Sequence, residues 1–368
     1  MTDATHNPDP RVPAREDCVM RYVLEKQADL HPDRPYIRLP DGRAIGYRAF
    51  RDEVMRMAAG LAALGVKQGD HVNVWMPNTV DIVRVWFAIN WLGAVYVPIN
   101  TAYRGNLLAH VIANGDARVM IVGADLVERL LPIDRATLAT LVVAGADAPA
   151  VDGLHRVALA DLDADPATLP PLERPIEPWD VQSIIYTSGT TGRSKGVLSS
   201  YAHMWHMSGL EAFPMLGEAD CYLTFLPFFH VGGTLPVIGM LNRGGTIGIG
   251  GDFTTDAFWP AVRAMNATYT ILLGVMSNFL SKRPPAADDR DHTLRKVTMI
   301  PLPDDWRTFA DRFDVKVWTL FNMTEINVPI VSDPDPQAIG TCGRQRAGNE
   351  LRIVDDNDCE VPVGTIGQ

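Results

Sequence analysis

Apolar positions along this chain follow two alternating periods. Phe50, Val54, Met57, Ala58, Leu61 and Leu64 recur at helical spacing, and Gly65 supplies a stop. Just upstream, Tyr36 to Leu39 and Arg43 to Ile45 flank Pro40-Asp41-Gly42, the pattern of a β-hairpin around a tight turn. The alternation then continues with a strand at 71–76, a helix at 79–92, a strand at 94–99, a helix at 104–114 and a strand at 119–122. Farther on, strands are expected at 181–186, 221–226, 246–250, 269–273, 296–300 and 315–320. Helices are expected at 203–213, 231–242, 254–266, 275–282 and 305–312. Strand and helix in strict alternation with short loops predict an α/β fold with largely parallel sheets.

Three stretches depart from this rhythm. Residues 1–20, rich in Pro, Asp and Asn at the start, read as a flexible arm. From Ala144 to Trp179 the composition shifts to Ala, Asp and Pro, as in a connection between lobes. From about Gly340 the pattern becomes short, turn-bounded β segments such as Leu351-Arg352-Ile353-Val354. The expected organisation is therefore an arm (1–20), a first α/β lobe with its linker (21–180), a second α/β lobe (181–339) and the start of a β-rich subdomain (340–368). No repeat with a period of 20–50 residues is evident.

Composition narrows the class. Of 368 residues, 47% are apolar and 21% charged, enough to bury a core without disulfides or a structural metal. Lys plus Arg number 33 and Asp plus Glu 44, a net charge of −11 that argues against a general nucleic-acid binder. The same balance is compatible with an anionic small ligand held by a local site. Cys18, Cys221, Cys342 and Cys359 form no C-x-x-C pair, so no zinc or redox motif is suggested. Sparse, unpaired cysteines fit a cytoplasmic protein. The start of the chain has no apolar stretch behind a basic one, and the most apolar run, Val85 to Ile99, is too short to span a bilayer.

The chemistry concentrates in one segment. Ser183-Ile184-Ile185-Tyr186 runs as a buried strand into Thr187-Ser188-Gly189-Thr190-Thr191-Gly192-Arg193-Ser194-Lys195. Gly189 and Gly192 allow close approach of backbone to ligand. Successive N–H groups in such a loop form an anion nest, hydroxyls add donors, and Lys195 adds a mobile positive charge. The order differs from Walker A, which places Gly-Lys-Ser/Thr after four spacers, so this is a polyphosphate loop of another kind. Gly248-Ile249-Gly250-Gly251 lacks the third glycine of a dinucleotide loop, having Phe253 there, and reads as a strand end with a turn.

The run Tyr186 to Val197 resembles the signature loop of the adenylate-forming superfamily: acyl-CoA synthetases, peptide-synthetase adenylation domains and luciferases. Further segments are similar to that family in the same order: Gly65 to Val72, Pro77-Asn78, Gly93 to Asn100, Leu226 to Gly233, Phe321 to Glu325, and Gly340 to Arg344. The resemblance covers nearly the whole chain. It implies two packed α/β lobes in an αβαβα layering plus a β-rich third lobe.

It also implies ATP-dependent activation of a small-molecule carboxylic acid to acyl-AMP, then transfer to coenzyme A, with Mg²⁺ as the metal. Thr187, Ser188, Gly189, Thr190, Thr191, Gly192 and Lys195 would hold the phosphates, Lys195 offsetting charge on the leaving pyrophosphate. Thr324 would bond the α-phosphate and Glu325 would help hold Mg²⁺. Pro301, Leu302, Phe321, Asn322 and Met323 would border the nucleotide. His230, Val231, Gly232, Leu273, Gly274, Asn322 and Val328 would line the acid pocket. His203 and His206, with no carboxylate partner evident, are read as packing residues.

Two departures alter the expected site. Met299-Ile300-Pro301-Leu302-Pro303 stands where the family commonly has Gly-Ala-Pro, and Phe321-Asn322 replaces Tyr-Gly. Phe321 can still stack on adenine. Asn322 adds bulk and a polar group at the pocket. At the other end, family members continue past a segment like Val363 to Gln368 into a Thr-Gly-Asp, a hinge and a small domain with a catalytic lysine. None is in this sequence, so the 368 residues by themselves are expected to adenylate poorly. Alternatives are an amino-acid adenylation domain that loads a carrier protein, and a non-catalytic nucleotide- or acyl-binding remnant. No acidic partner for an ammonium group appears in the pocket segments. Homodimerisation is left open.

Overall fold

The computed structural model describes residues 11–187, 193–338 and 340–368. Helices α1 (Arg15–Cys18) and α2 (Met20–Leu30) open the chain, and Cys18, Val19 and Met20 are buried in the core. The expected arm of 1–20 is thus packed over its last residues, because these three apolar side chains cover the helices that follow. Positions 1–10 lie outside the described residues.

Next come the hairpin β1 (Pro35–Arg38) and β2 (Ala44–Gly46), then α3 (Tyr47–Ala63), whose Phe50, Val54, Ala58 and Leu61 are buried on one face. A run of strand and helix follows: β3 (His71–Trp75), α4 (Val80–Trp91), β4 (Val95–Pro98), α5 (Gly105–Gly115) and β5 (Val119–Gly123). The Ala/Asp/Pro-rich connection is not plain linker. It follows β6 (Thr140–Ala144) and contains β7 (His155–Ala158), an exposed edge strand without the apolar alternation that would betray it. The strands β8 (Val181–Thr187) and β9 (Lys195–Ser200) form a second hairpin, followed by α6 (Tyr201–Ser208).

The second run is β10 (Cys221–Thr224), α7 (Val231–Arg243), β11 (Thr246–Ile249), α8 (Thr255–Ala264), β12 (Tyr269–Leu273), α9 (Gly274–Ser281), β13 (Lys296–Ile300), α10 (Trp306–Phe313) and β14 (Lys316–Trp318). Three short strands, β15 (Leu320–Phe321), β16 (Ile330–Val331) and β17 (Arg344–Gln345), make a small antiparallel sheet. The strand expected at 315–320 therefore splits between two sheets.

Each large sheet has seven strands, in the orders β7-β6-β5-β3-β4-β8-β9 and β14-β13-β12-β10-β11-β1-β2. All neighbours are parallel except the two hairpins at the edges. Sheet membership does not follow a division at residue 180. The early hairpin β1-β2 completes the second sheet, and β8-β9 completes the first.

Side chains alternate between the two faces of each sheet, as strand geometry requires. Val72, Val74 and Tyr96 from the first sheet and Ile37, Tyr222 and Tyr269 from the second meet in one core with α2, α3, α4 and α7. Val95 and Val97 turn outward onto α5, while Leu223 and Leu272 turn outward onto α8, α9 and α10. The result is the αβαβα layering that the family resemblance implies, with the small antiparallel sheet attached.

Candidate functional site

In the second sheet β10, β11, β12, β13 and β14 are parallel, so their carboxyl ends share one edge. The order reverses at β10, which lies between β11 and β12. Crevices outside the carboxyl ends at such a reversal are where open α/β sheets bind ligands. The segments at 226–233, 273–275 and 301–303 and the approach to 321–325 all leave from this edge.

The first sheet supplies the hairpin β8-β9, whose loop is the expected phosphate loop. Thr187 and Lys195 are cross-strand partners at its end, so the side chain of Lys195 leaves the ladder opposite Thr187. Ser188, Gly189, Thr190, Thr191 and Gly192 lie outside the described residues. The loop's exit is tied to the first lobe. His110 Nε2 lies 3.1 Å from the carbonyl of Ser194, and Tyr103 Oη lies 3.3 Å from Ser194 Oγ. Tyr186 in turn donates to Asn114 at 3.2 Å. The sequence offered no signal for Tyr103, His110 or Asn114, because their partners are 72 to 91 residues away.

Thr324 and Glu325 sit in the loop between β15 and β16, whose partners Phe321 and Ile330 close its base. Thr324 is buried and Glu325 exposed. Thr187 Oγ1 donates to Glu325 Oε1 at 3.3 Å across 138 residues of sequence. One hydrogen bond thus joins the phosphate hairpin to the acidic turn. The exposed carboxylate and neighbouring hydroxyl are hard oxygen donors, and they fit Mg²⁺, which is usually held by one or two carboxylates with water and phosphate. Among the described residues there is no group of three or more His, Cys, Asp or Glu side chains able to hold a metal alone.

The expected acid pocket is built from α7 and the ends of β12 and β13. His230 is the N-cap of α7, its Nδ1 accepting from Gly232 N at 3.0 Å. That bond requires an unprotonated Nδ1, and the protein atoms around the ring push its pKa below the ordinary histidine value. Gly233 is needed where it stands, since a Cβ there would lie 2.2 Å from the carbonyl oxygen of Pro227. Leu273 pairs with Ile300, which brings Gly274 against Pro301. Leu302 is partly buried beside the outer core of the second sheet. Val231 and Val328 are buried, Asn322 is half-buried, and Phe321 and Met323 are exposed.

The first lobe also holds the His230 segment. Asn78 donates to Leu226 O at 2.9 Å and accepts from Phe228 N at 3.1 Å, and Tyr96 Oη donates to Phe228 O at 3.3 Å. Among the described residues no hydrogen bond links His230 to Thr187, Thr324 or Glu325. His203 is half-buried in α6, its ring within reach of the Ile326 backbone beside Glu325, and His206 Nε2 contacts the carbonyl of Arg11 at 2.7 Å. Gly248 to Gly251 forms a strand end and turn, where a Cβ on Gly250 would meet the ring of Phe225 at 2.4 Å. A cavity of about 950 Å³ at the amino ends of β13 and β14, lined by Lys296 and Lys316, touches none of these segments.

A family model described as AMP-binding enzyme matches residues 24–368. The crotonobetaine/carnitine–CoA ligase of Escherichia coli O157:H7 is 29% identical over 334 residues, covering 88% of this chain and 64% of that protein. A counterpart from Salmonella agona is also 29% identical, over 338 residues. The chain therefore spans about 64% of the length of the curated relatives it matches. Among solved structures, a putative long-chain fatty-acid CoA ligase from Rhodopseudomonas palustris superposes with a TM-score of 0.82 at 24% identity, covering 96% of this chain and 88% of the other. The N-terminal domain of FACL13 from Mycobacterium tuberculosis does so with a TM-score of 0.78 at 23% identity, covering 93% and 86%. These structural likenesses establish the fold. No helix among the described residues is long and apolar enough to cross a membrane.

Proposed function

The chain belongs to the AMP-binding enzyme family, and we propose that it is the ATP- and acid-binding portion of an acid–thiol ligase that forms an acyl-CoA. In the first step a carboxylate oxygen attacks the α-phosphorus of ATP, the α–β bridging P–O bond breaks, and pyrophosphate leaves. In the second the sulfur of coenzyme A attacks the acyl carbon, the acyl–phosphate C–O bond breaks, and AMP leaves. The thiol proton passes to solvent.

The observation that carries this reading is the Thr187–Glu325 hydrogen bond, with Lys195 opposite Thr187 on the hairpin. A hydroxyl and a carboxylate meet there, with a lysine as the hydroxyl's cross-strand neighbour, which supports a phosphate- and metal-binding role. Phosphoryl-type transfer depends on such positioning and charge neutralisation. In this reading Lys195 and the loop from Thr187 hold the β- and γ-phosphates, Thr324 bonds the α-phosphate, and Glu325 holds Mg²⁺, which supplies further charge neutralisation. Phe321, Met323, Pro301 and Leu302 border the base. Val231, Leu273 and Val328 make the acid pocket largely apolar, which suits an acid with an apolar body. The relatives' named substrates, carnitine and crotonobetaine, and fatty acids mark the range to screen.

The test is pyrophosphate exchange and CoA-thioester formation by the complete gene product over a panel of carboxylic acids, with nucleotide binding measured separately on the 368-residue chain. Exchange that requires an acid and fails in Lys195→Ala supports the reading. ATP binding that is indifferent to Lys195 and Glu325 removes it.

A further inference from the structure

Arg346 is an unusual cation in this protein. Its side chain is 7% exposed, yet among the described residues it makes one side-chain hydrogen bond, from Nε to the carbonyl of Val328 at 2.8 Å. Its remaining charged neighbour is Glu211, at 3.8 Å from Nη1, and Glu211 is itself 66% exposed. Other partly buried arginines are treated differently. Arg312 engages Asp289 through two nitrogens and three backbone carbonyls besides. Arg243 donates to the carbonyls of Ser208, Gly239 and Phe213. Neither terminal nitrogen has a hydrogen-bond acceptor among the described residues, and burial pushes the pKa of Arg346 below its ordinary value.

Arg346 lines a cavity of about 580 Å³ that lies between Arg11 and Pro13, the end of α6, residue 327 and the turn after β17. Trp205 and Leu210 give it apolar walls, and Asn327 and Asn349, hydrogen-bonded to each other at 3.0 Å, give it amides. We propose that this cavity binds a small carboxylate, paired with the Arg346 guanidinium, with Glu211 as its intramolecular competitor. The class follows from what the chain itself aims at this cation. Glu211 presents a carboxylate, and a planar carboxylate matches the guanidinium fork. Glu211 stops short of hydrogen-bond distance and stays mostly in solvent, so a free carboxylate displaces it at little cost. The apolar walls accommodate the carbon body of such a ligand. This site is separate from the phosphate hairpin, since Lys195, Thr187 and Glu325 are not among its lining residues.

Trp205 gives the site its own reporter. Malonate is titrated into the full chain at constant ionic strength, and the emission of Trp205→Phe is subtracted to isolate that residue's signal. A saturable millimolar response is expected. In Glu211→Gln, where an exposed competitor is removed, the apparent Kd should fall by about threefold to tenfold. In Arg346→Met saturation should vanish. An unchanged or weaker Kd in Glu211→Gln overturns the proposal, and this surface variant decides the matter even if Arg346→Met does not fold. So does the lack of any saturable Trp205 signal up to about 100 mM malonate. Inorganic phosphate binding as tightly as malonate would overturn the carboxylate assignment.

Discussion

The two large sheets share one topology and divide the work unequally. In each, five strands joined by crossovers are followed along the sheet by a parallel strand and its antiparallel hairpin partner. In the second sheet the hairpin β1-β2 precedes the crossover strands and turns tightly at 40–42. In the first sheet the hairpin β8-β9 follows them and carries the Ser/Thr/Gly-rich loop that ends in Lys195. The carboxyl edge of the second sheet bears the segments proposed for the acid pocket and the nucleotide. The corresponding edge of the first bears Asn78, whose bonds hold the other sheet's His230 loop. Each copy of the scaffold thus lends different loops to the proposed site, the first its β8-β9 hairpin and Asn78, the second the loops at its carboxyl edge, because loops rather than topology carry chemistry.

The sharpest way to break that comparison is where the first sheet's hairpin meets the turn between β15 and β16. Glu325→Gln keeps an acceptor for Thr187 and removes the charge. In the complete gene product it should lower pyrophosphate exchange about a hundredfold or more, the scale of losing one preorganised electrostatic contact. A change under about threefold would mean that the Thr187–Glu325 contact is structural. Next is Gly233→Ala, whose added Cβ would collide with Pro227 O at 2.2 Å in the ideal geometry. Overpacking here should cost about 1–3 kcal/mol, read as a lower denaturation midpoint with an unchanged slope.

Asn78→Ala tests whether the first sheet supports the second sheet's site. Losing two hydrogen bonds to the 226–228 segment should destabilise by about 1–3 kcal/mol and raise KM for the acid more than KM for ATP. Equal effects on both substrates would place the support elsewhere.

The His230 cap predicts a pH dependence. A histidine whose folded pKa lies below its ordinary 6.5 contributes stability that is present above that value and lost as pH falls through the folded pKa. Thermal stability should therefore decline below about pH 6.5, and His230→Asn, which can cap without titrating, should flatten part of that slope. The smallest effect is expected from Asn322→Gly, which should alter the ranking of acids in the panel while leaving ATP affinity in place. Identical relative efficiencies would separate Asn322 from acid selection.

Much of this architecture was legible because local periodicity is a local signal. The helix around Phe50 to Leu61 and the strands β3, β12 and β13 fall where the apolar spacing puts them. The failures have physical causes. Strand β7 lies at a sheet edge with exposed side chains, so burial left no alternation to read. The strand β9 is half polar, and its pairing with β8 is set across a loop. The helix expected at 203–213 ends at Ser208, where Gly209 takes an extended backbone as its C-cap. For the site, the loop with Lys195 stood out by residue type, and the Thr324-Glu325 pair by its resemblance to the family motif and its place in the order of motifs. Tyr103, His110, Asn78 and Arg346 did not, since each matters through a partner far along the chain.

By itself the sequence determined the α/β class, most of the elements and the residue types able to handle a polyphosphate, because backbone propensity, periodicity and side-chain chemistry are properties of neighbours in the chain. Only the tertiary structure decided which hairpin completes which sheet, that Thr187 meets Glu325, and that Arg346 is buried short of acceptors. Those outcomes depend on which distant surfaces bury each other, and a contact across more than a hundred residues leaves no periodic trace in one sequence.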